Sequence, residues 1–240
     1  MRALVNKIIP FSSVDGPGNR TAIFLQGCNI NCKYCHNPET RDKYGDPEIT
    51  TVTEMTVDEI LAQVKRQLPF IRGITVSGGE CMLQADFLLE LFTGARELGI
   101  TTMIDTNGTV DFLNRIDLLR VTDGVLLDIK AFDSESHKEI TGVGNEVVLA
   151  NARLLAEMGK LEEIRCVICP SLYDGRESVE AIGRYMRDLY LPGSFHFKLI
   201  SYRPMGVRPE FAQMLTPGTD YMNQLADILG ELGYEDTIVI

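Results

Sequence analysis

Three cysteines crowd into eight positions of this 240-residue chain, at Cys28, Cys32 and Cys35. Their spacing is C-x3-C-x2-C, within the string GCNINCKYCHN. A loop of that size can wrap three thiolates around one face of a small inorganic cluster, and iron–sulfur clusters are held by cysteine thiolates. A four-iron cluster bound in this way would keep one iron without a cysteine ligand, open to another molecule. The spacing therefore favours an iron–sulfur site.

Two other interpretations of this loop stay open at this point. A structural zinc ion could be held by the three cysteines together with His36. Against zinc, Cys35 and His36 are neighbours whose side chains point in divergent directions, and no second pair of ligands is obvious. The other interpretation is a set of plain thiols. Six cysteines are too sparse for a disulfide scaffold, and in a reducing compartment the clustering of three of them indicates a metal site instead.

Short β-rich runs alternate with amphipathic helical stretches from about residue 20 onward. The predicted strands are Thr21–Gln26, Gly73–Ser77, Thr101–Asp105, Gly124–Ile129, Ile164–Cys169 and Phe195–Ile200. The predicted helices lie near 56–68, 85–98, 111–120, 145–159, 176–190 and 217–232. Because each parallel pair of strands needs a crossover connection, six such repeats predict a parallel sheet. We predict one α/β domain over residues 1–240, either an open sheet or a partial barrel.

The first predicted helix carries signals for its start and for its buried face. Thr56, with Glu59 three residues later, resembles a capping box. Five apolar residues recur at helical spacing and are expected to share one face: Val57, Ile60, Leu61, Val64 and Leu68.

Polar residues stand at the carboxyl ends of these strands, where ligands gather in such folds. They are Gly27-Cys28, Ser77-Gly78-Gly79-Glu80, Asp105-Thr106-Asn107-Gly108, Asp128 with Lys130, and Tyr202-Arg203, while Arg165 lies within the fifth strand. Each group also has a structural interpretation: a tight turn for Gly-Gly, helix caps for the Asp and Asn residues, and an ion-pair network for Lys130 and Arg165 with Asp128 or Glu80. These polar residues nevertheless predict a ligand-binding site at the carboxyl ends of the strands.

Composition limits the classes of partner and location. Net charge is −11, from 34 acidic and 23 basic residues, which disfavours a nucleic-acid partner because phosphate binding relies on a basic surface. No stretch approaches the roughly 20 apolar residues of a membrane span. The first residues lack an apolar block of signal-peptide length, so we expect a cytoplasmic location and no membrane association.

The cysteine motif is similar to that of the radical S-adenosylmethionine (SAM) enzymes. The longer string DGPGNRTAIFLQGCNINCKYCHNPET, Asp15–Thr40, resembles the glycyl-radical-enzyme activating enzymes of that group. SGGE at 77–80, DTNG at 105–108 and LLDIK at 126–130 match the same family in order and at similar spacing. The resemblance covers about residues 5–205. It implies a partial (β/α)6 barrel.

The resemblance also implies a set of site residues. Cys28, Cys32 and Cys35 would ligate three irons of a [4Fe–4S] cluster, and the amino and carboxylate groups of SAM would chelate the fourth. The SAM contacts implied are Tyr34, Cys35, His36, Gly78, Gly79, Glu80, Thr106, Asp128, Ile129, Lys130, Arg165 and Arg203. The family places a monovalent cation beside the SAM carboxylate, here at Asp105, Thr106 and Asp128.

The reaction implied is one-electron cleavage of SAM to methionine and a 5′-deoxyadenosyl radical. That radical would take a hydrogen from a backbone glycine of a partner glycyl radical enzyme, and Asp15 would help to admit the glycine-bearing peptide. The enzyme would be oxygen-sensitive, and flavodoxin or ferredoxin would supply the electron.

The sequence departs from the family pattern in two places. Tyr202-Arg203 stands where family members have Tyr-His, and the lack of cysteine between Cys35 and residue 55 predicts that there is no auxiliary cluster. Cys166 and Cys169, three residues apart on one strand, are expected to be buried thiols rather than joint ligands. The alternative functions are a radical SAM enzyme for a small molecule and a non-catalytic iron–sulfur electron carrier or zinc-stabilised binding module.

Overall fold

The computed structural model describes residues 1–42 and 51–240, which form two compact units. The first unit comprises Met1–Asn29, Glu39–Thr106 and Phe112–Leu126. The second unit comprises Ile30–Pro38, Asn107–Asp111 and Leu127–Ile240. One domain spanning 1–240 stays a prediction.

The first unit is built on a mixed sheet. Its strands are β1 (Arg2–Ser12), β2 (Arg20–Leu25), β3 (Thr53–Thr56), β4 (Gly73–Gly78), β5 (Thr101–Thr106) and the start of β6 (Gly124–Asp128), in the order β3-β1-β2-β4-β5-β6. β2, β4 and β5 pair in parallel, as predicted, whereas β1 is antiparallel to both β2 and β3. Its helices are α1 (Val57–Lys65), α2 (Ala85–Glu97) and α3 (Ile116–Arg120), with 3-10 turns at Cys81–Gln84 and Phe112–Arg115.

The second unit contains the end of β6 followed by β7 (Leu161–Ile168), β8 (His196–Ser201) and β9 (Ile238–Val239), in that order. β7 and β8 pair in parallel, and so do β8 and β9. Its helices are α4 (Ser134–Thr141), α5 (Glu146–Glu157), α6 (Gly175–Met186) and α7 (Thr219–Glu231), with 3-10 turns at Arg187–Leu189 and Pro209–Phe211. A further 3-10 turn, Pro38–Thr40, lies where the chain passes between the units.

All six predicted strands are confirmed within a few residues, and so are the six predicted helices. The prediction missed β1, β3, β9 and α4. In α1, Val57, Ile60, Leu61 and Val64 are buried as expected, but Leu68 lies beyond the helix end and is half-buried. None of the helices in the described part of the chain has the length and apolar character of a membrane span.

The capping box of α1 is confirmed, and it carries a stability prediction. The Thr56 hydroxyl accepts from Glu59 N–H at 3.2 Å, and the Glu59 carboxylate accepts from Thr56 N–H at 2.7 Å. We expect Thr56→Ala to lower the free energy of unfolding by about 1 kcal/mol, because an N–H of the first turn loses its acceptor. Urea unfolding measures this, with Thr53→Ala, at an exposed position of the same strand β3, as the control. Equal losses in the two variants would contradict the prediction.

Candidate functional site

The cysteine loop, residues 27–41, begins directly after β2. Two backbone hydrogen bonds of the first unit close its base: Gly27 N–H donates to Thr40 O at 2.8 Å, and Cys28 N–H donates to Arg41 O at 2.9 Å. Because the beginning and the end of the loop are joined there, Cys28 is fixed just beyond the carboxyl end of β2.

In the second unit, the middle of the loop is bonded to the last turn of α4. Asn31 N–H donates to Thr141 O at 2.9 Å, and Lys33 N–H donates to Ile140 O at 3.0 Å. The last four carbonyl groups of a helix have no partner within the helix, so they are available to a neighbouring segment. The end of α4 therefore fixes the backbone on both sides of Cys32.

The segment after β8 also contacts the loop. The His36 Nε2–H group donates to the carbonyl oxygen of Arg203 at 3.0 Å, and Arg208 Nη2 donates to the carbonyl oxygen of Cys32 at 3.3 Å. Arg203 itself is exposed, so its contact with the loop is through the backbone. Sequence reasoning did not single out Arg208, whose side chain reaches the cysteine loop from this segment.

Tyr34 is buried between the second and third cysteines. Tyr34 is 3% exposed, and its hydroxyl group has no hydrogen-bond partner within residues 1–42 and 51–240. Burial, followed by the nearby charges of Cys32 and Asp128, raises the pKa of Tyr34 well above its usual range. Tyr34 is therefore not a surface residue of the cysteine loop.

Lys130 places a buried positive charge near the same cysteines. Its Nζ donates to Asp128 Oδ2 at 2.6 Å and lies 5.9 Å from the centre of the Tyr34 ring. Burial works to lower the pKa of Lys130, but Asp128, Cys32 and Cys35 outweigh burial and raise the pKa above its usual value. The ion pair with Asp128 confirms one of the pairings considered from the sequence.

The chemistry of these residues, rather than the distances between their side chains, suits an iron–sulfur cluster. A neighbouring cation stabilises the thiolate form of cysteine, which is the form that ligates iron. The Tyr34 hydroxyl, without a partner in the described ranges, is a buried polar atom of the kind that a bound group can satisfy. Among the residues that the structure describes, no three His, Cys, Asp or Glu side chains are grouped so as to hold a metal ion.

The Gly78-Gly79 pair allows the end of β4 to approach the base of the cysteine loop. Gly79 N–H donates to Leu25 O at 3.0 Å. A Cβ atom on Gly78 would lie 2.1 Å from Leu25 O, and one on Gly79 would lie 2.3 Å from Gly27 O. Both atoms belong to backbone, so only glycine fits at these two positions.

Glu80 follows directly and is 1% exposed. Its Oε1 accepts from Met82 N–H at 2.9 Å and from the Thr106 hydroxyl at 2.7 Å. The carboxylate therefore caps the 3-10 turn that follows and also joins the end of β4 to the end of β5. Two predicted site residues, Glu80 and Thr106, are thus in direct contact.

The three residues predicted to hold a monovalent cation have separate partners. In the first unit, Asp105 accepts from the Ser77 hydroxyl at 3.0 Å, and its neighbour Thr106 donates to Glu80. In the second unit, Asp128 accepts from Lys130. The cation site stays a prediction.

Arg165 is buried on β7, at 8% exposure, and its Nε donates to Glu163 Oε2 at 2.7 Å. Its carbonyl oxygen accepts from Ile129 N–H at 2.9 Å, which ties β7 to the residue between Asp128 and Lys130. The sequence suggested Asp128 or Glu80 as the partner of a structural Arg165; the contact shown is with Glu163, a residue it did not consider.

The remaining cysteines and Asp15 behave as their structural interpretations predicted. Cys166 and Cys169 are 2% and 0% exposed, and burial raises the pKa of Cys166 to about 12. Cys81 is also fully buried, with its thiol bonded to Val76 O at 3.4 Å. Asp15 accepts from the Ser12 hydroxyl, as a turn-forming residue does. A contact of Asp15 with a substrate peptide stays a prediction.

Comparison with known proteins gives a consistent result. The model of the radical SAM superfamily matches residues 22–182. A pyruvate formate-lyase-activating enzyme of Streptococcus mutans is 42% identical over 212 residues, covering 85% of this chain and 78% of that protein. The pyruvate formate-lyase 1-activating enzyme of Escherichia coli is 33% identical over 254 residues, covering 97% and 98%.

Solved structures share the fold. A domain of a pyruvate-formate lyase-activating enzyme from Bacteroides vulgatus superposes with a TM-score of 0.59 at 23% identity, covering 69% of this chain and 97% of that domain. The predicted α/β fold with a partial (β/α)6 barrel is confirmed by this likeness, together with the parallel strands described above.

Proposed function

Because this chain belongs to the radical SAM superfamily and, within it, to the glycyl-radical-enzyme activating enzymes, we propose that Cys28, Cys32 and Cys35 ligate its [4Fe–4S] cluster. The spacing of the three thiols supports this assignment. The observation that carries it is the buried Lys130 ammonium group, which lies 5.9 Å from the ring of Tyr34, the residue that precedes Cys35 in the cysteine loop.

The chain is an activating enzyme that uses a [4Fe–4S] cluster and SAM. When bound, the cluster would supply one electron for the cleavage of SAM to methionine and a 5′-deoxyadenosyl radical, and that radical would take a hydrogen atom from a backbone glycine of the partner glycyl radical enzyme. Such cofactors carry the difficult chemistry, while the protein supplies binding, orientation and electrostatics. The roles of this chain's own residues are therefore to position SAM and to exclude water.

We assign the polar groups of SAM to side chains of matching charge. The Glu80 carboxylate accepts hydrogen bonds from the SAM ammonium group, beside the Gly78-Gly79 backbone. Lys130 and Arg165 bind its carboxylate or its ribose, because hydrogen bonds donated by a cation are strong. All three side chains are buried, and each makes a hydrogen bond to a neighbouring residue that holds it in place, which supports the assignment.

The remaining contacts complete this proposal. Tyr34 and His36 contact the adenine, with Ile129 and Thr106 lining the same ligand, and Arg203 contacts SAM or the partner peptide. Asp105, Thr106 and Asp128 hold a monovalent cation, for which their oxygen ligands are suited.

Flavodoxin or ferredoxin is the proposed electron donor, since the cluster must be reduced by a low-potential carrier. The cytoplasmic location expected from the sequence stays a prediction.

The proposed function is tested by spectroscopy on a partner. The enzyme is reconstituted anaerobically with iron and sulfide, reduced, and mixed with SAM and a pyruvate formate-lyase. We expect 5′-deoxyadenosine to form together with a glycyl radical signal in the electron paramagnetic resonance spectrum. SAM cleavage without a radical on any glycyl radical enzyme supplied would instead favour a small-molecule substrate. A full, reducible cluster without cleavage would favour an electron carrier.

Replacement of Lys130 tests the electrostatic part of the proposal. We expect Lys130→Met to weaken SAM binding about tenfold or more, because it removes a buried cation and leaves Asp128 without its partner. Anaerobic equilibrium dialysis against radiolabelled SAM measures this.

Lys33→Met is the matched control. Lys33 also lies in the cysteine loop, but its ion pair is with Glu139, whose side chain is 63% exposed. Such exposed pairs contribute about 0–1 kcal/mol, so SAM affinity should stay near that of the wild type. Equal losses in the two variants would contradict a specific role for Lys130.

A further inference from the structure

Glu163, on β7, is a buried carboxylate that contacts three basic side chains. Its Oε2 accepts from Arg165 Nε at 2.7 Å and lies 3.5 Å from Lys198 Nζ. Its Oε1 lies 3.4 Å from His196 Nε2. Glu163 is 3% exposed, so these contacts lie away from solvent.

The register of two strands brings these four residues together. β7 and β8 are parallel, with Glu163 opposite His196 and Arg165 opposite Lys198. Residues two apart on a strand share a face, so all four side chains stand on one face of this pair. On each strand the second residue of the pair, Arg165 or Lys198, lies two positions closer to the carboxyl end than Glu163 or His196 does. Glu163 is thus placed below Arg165, on the side away from the strand ends.

Glu163 is ionised in this position. Burial acts to raise its pKa, but the hydrogen bond from His196 and the charges of Arg165 and Lys198 outweigh burial and lower the pKa to about 2. The carboxylate is therefore ionised near neutral pH, where it accepts from Arg165.

We infer that Glu163 is a positioning residue, which acts on SAM through Arg165. A guanidinium group is planar, and its Nε–H direction is fixed relative to its two Nη groups. An acceptor that holds the Nε–H consequently sets the plane in which the Nη groups point. This inference rests on the SAM contact proposed above for Arg165.

The neighbouring cation strengthens the same arrangement. Lys198 Nζ approaches the oxygen that accepts from Arg165, so one carboxylate oxygen lies between two positive charges. Glu163 offsets their mutual repulsion and keeps Arg165 in one orientation. Binding groups that are held in place by supporting hydrogen bonds bind their ligand more tightly than groups that must be ordered on binding.

The test compares SAM dissociation constants of the reconstituted holoenzyme by anaerobic equilibrium dialysis. We expect Glu163→Ala to weaken SAM binding about 10- to 100-fold, since a hydrogen bond to a charged group is lost. Glu163→Gln keeps an oxygen that can accept from Arg165 Nε and should recover most of that affinity. Glu162→Gln, a change next to it on the opposite face of β7, should bind SAM as the wild type does.

A double-mutant cycle separates positioning from general stability. In an Arg165→Lys background the Nε donor is absent, so Glu163→Ala should cause little further loss of SAM affinity. Iron content and thermal unfolding are recorded for every variant. If Glu163→Ala does not fold, Glu163→Met, which keeps a similar side-chain volume but cannot accept as a carboxylate does, and its combination with Arg165→Lys carry the same comparison.

The outcomes also distinguish this inference from the function on which it rests. A wild-type holoenzyme that fails to bind SAM would overturn the proposed function itself. Normal SAM binding by the wild type, with unchanged affinity in Glu163→Ala, would overturn only the positioning role. Equal losses from Glu163→Ala in the wild-type and Arg165→Lys backgrounds would do the same, because the effect would not pass through Arg165.

Discussion

Replacing Cys32 by alanine is expected to abolish reductive cleavage of SAM. A [4Fe–4S] cluster with three cysteine ligands loses a third of its protein ligation when one thiolate is removed, and reduction must occur at the cluster. Production of 5′-deoxyadenosine by anaerobically reconstituted, dithionite-reduced protein is the measurement. We expect the Cys28→Ala and Cys35→Ala variants to match the cluster-free protein as well.

Cys166→Ala and Cys169→Ala are the matched controls for this series. Both thiols are buried in the second unit, and burial raises the pKa of both, so neither is suited to bind iron as a thiolate. These variants should keep the cluster and cleave SAM. Full cleavage by Cys32→Ala would refute the ligand assignment, and cluster loss in either control would show that a fourth cysteine is involved.

The second large effect is expected for Gly79→Ala. The new methyl group would lie 2.3 Å from Gly27 O and 2.7 Å from Thr40 O, which are backbone atoms at the closed base of the cysteine loop. Because backbone cannot rotate away as a side chain does, the loop base must open. We expect a loss of about 2–4 kcal/mol in the free energy of unfolding, together with a reduced iron content after reconstitution.

Gly230→Ala is the control for this substitution. Gly230 lies within α7, and a Cβ atom there meets no atom of the described residues within 4 Å. Alanine is favoured over glycine inside a helix by about 0.5–1 kcal/mol, so this variant should be slightly more stable than the wild type. Urea unfolding and iron analysis of both variants provide the comparison. A Gly79→Ala protein with wild-type stability and iron content would contradict the close approach.

The cysteine loop and the glycine pair were predictable because their chemistry depends on residue type and spacing along the chain. The short helix α4, which is bonded to the middle of the cysteine loop, could not be predicted from the sequence pattern. α4 reads SESHKEIT and has almost no apolar periodicity, so the pattern on which helix prediction relies was weak. The signal that could have found it is Asp133, whose side chain accepts from Ser136 N–H at 2.7 Å and so begins the helix.

The strands that the sequence did not predict are those that break the parallel repeat. The apolar residues of β1 are interrupted by Asn6, Lys7 and Pro10, so the sequence shows neither a long apolar run nor a regular alternation there. β1 pairs antiparallel with β2 and β3, a connection that alternating strands and helices do not indicate. β9 has two residues, too few for any periodicity.

The partners of the candidate site charges were harder to predict than their positions. Arg165 was correctly singled out as a cation within an apolar strand, but its partner was assigned to residues at other strand ends. The pattern Glu163-x-Arg165 places both side chains on one face and was the available signal. The contacts of His196 and Lys198 with Glu163 depend on the register between β7 and β8, which no single segment of sequence encodes.

The attachment of the cysteine loop to α4 has a consequence for its dynamics. Helix ends fray, and local openings of this kind cost less free energy than opening the core of a sheet. The amide hydrogens of Asn31 and Lys33 bond to the final turn of an eight-residue helix, so their exchange with solvent should follow the fraying of α4. The time for which the backbone around Cys32 stays shielded from solvent then depends on residues more than a hundred positions later in the chain.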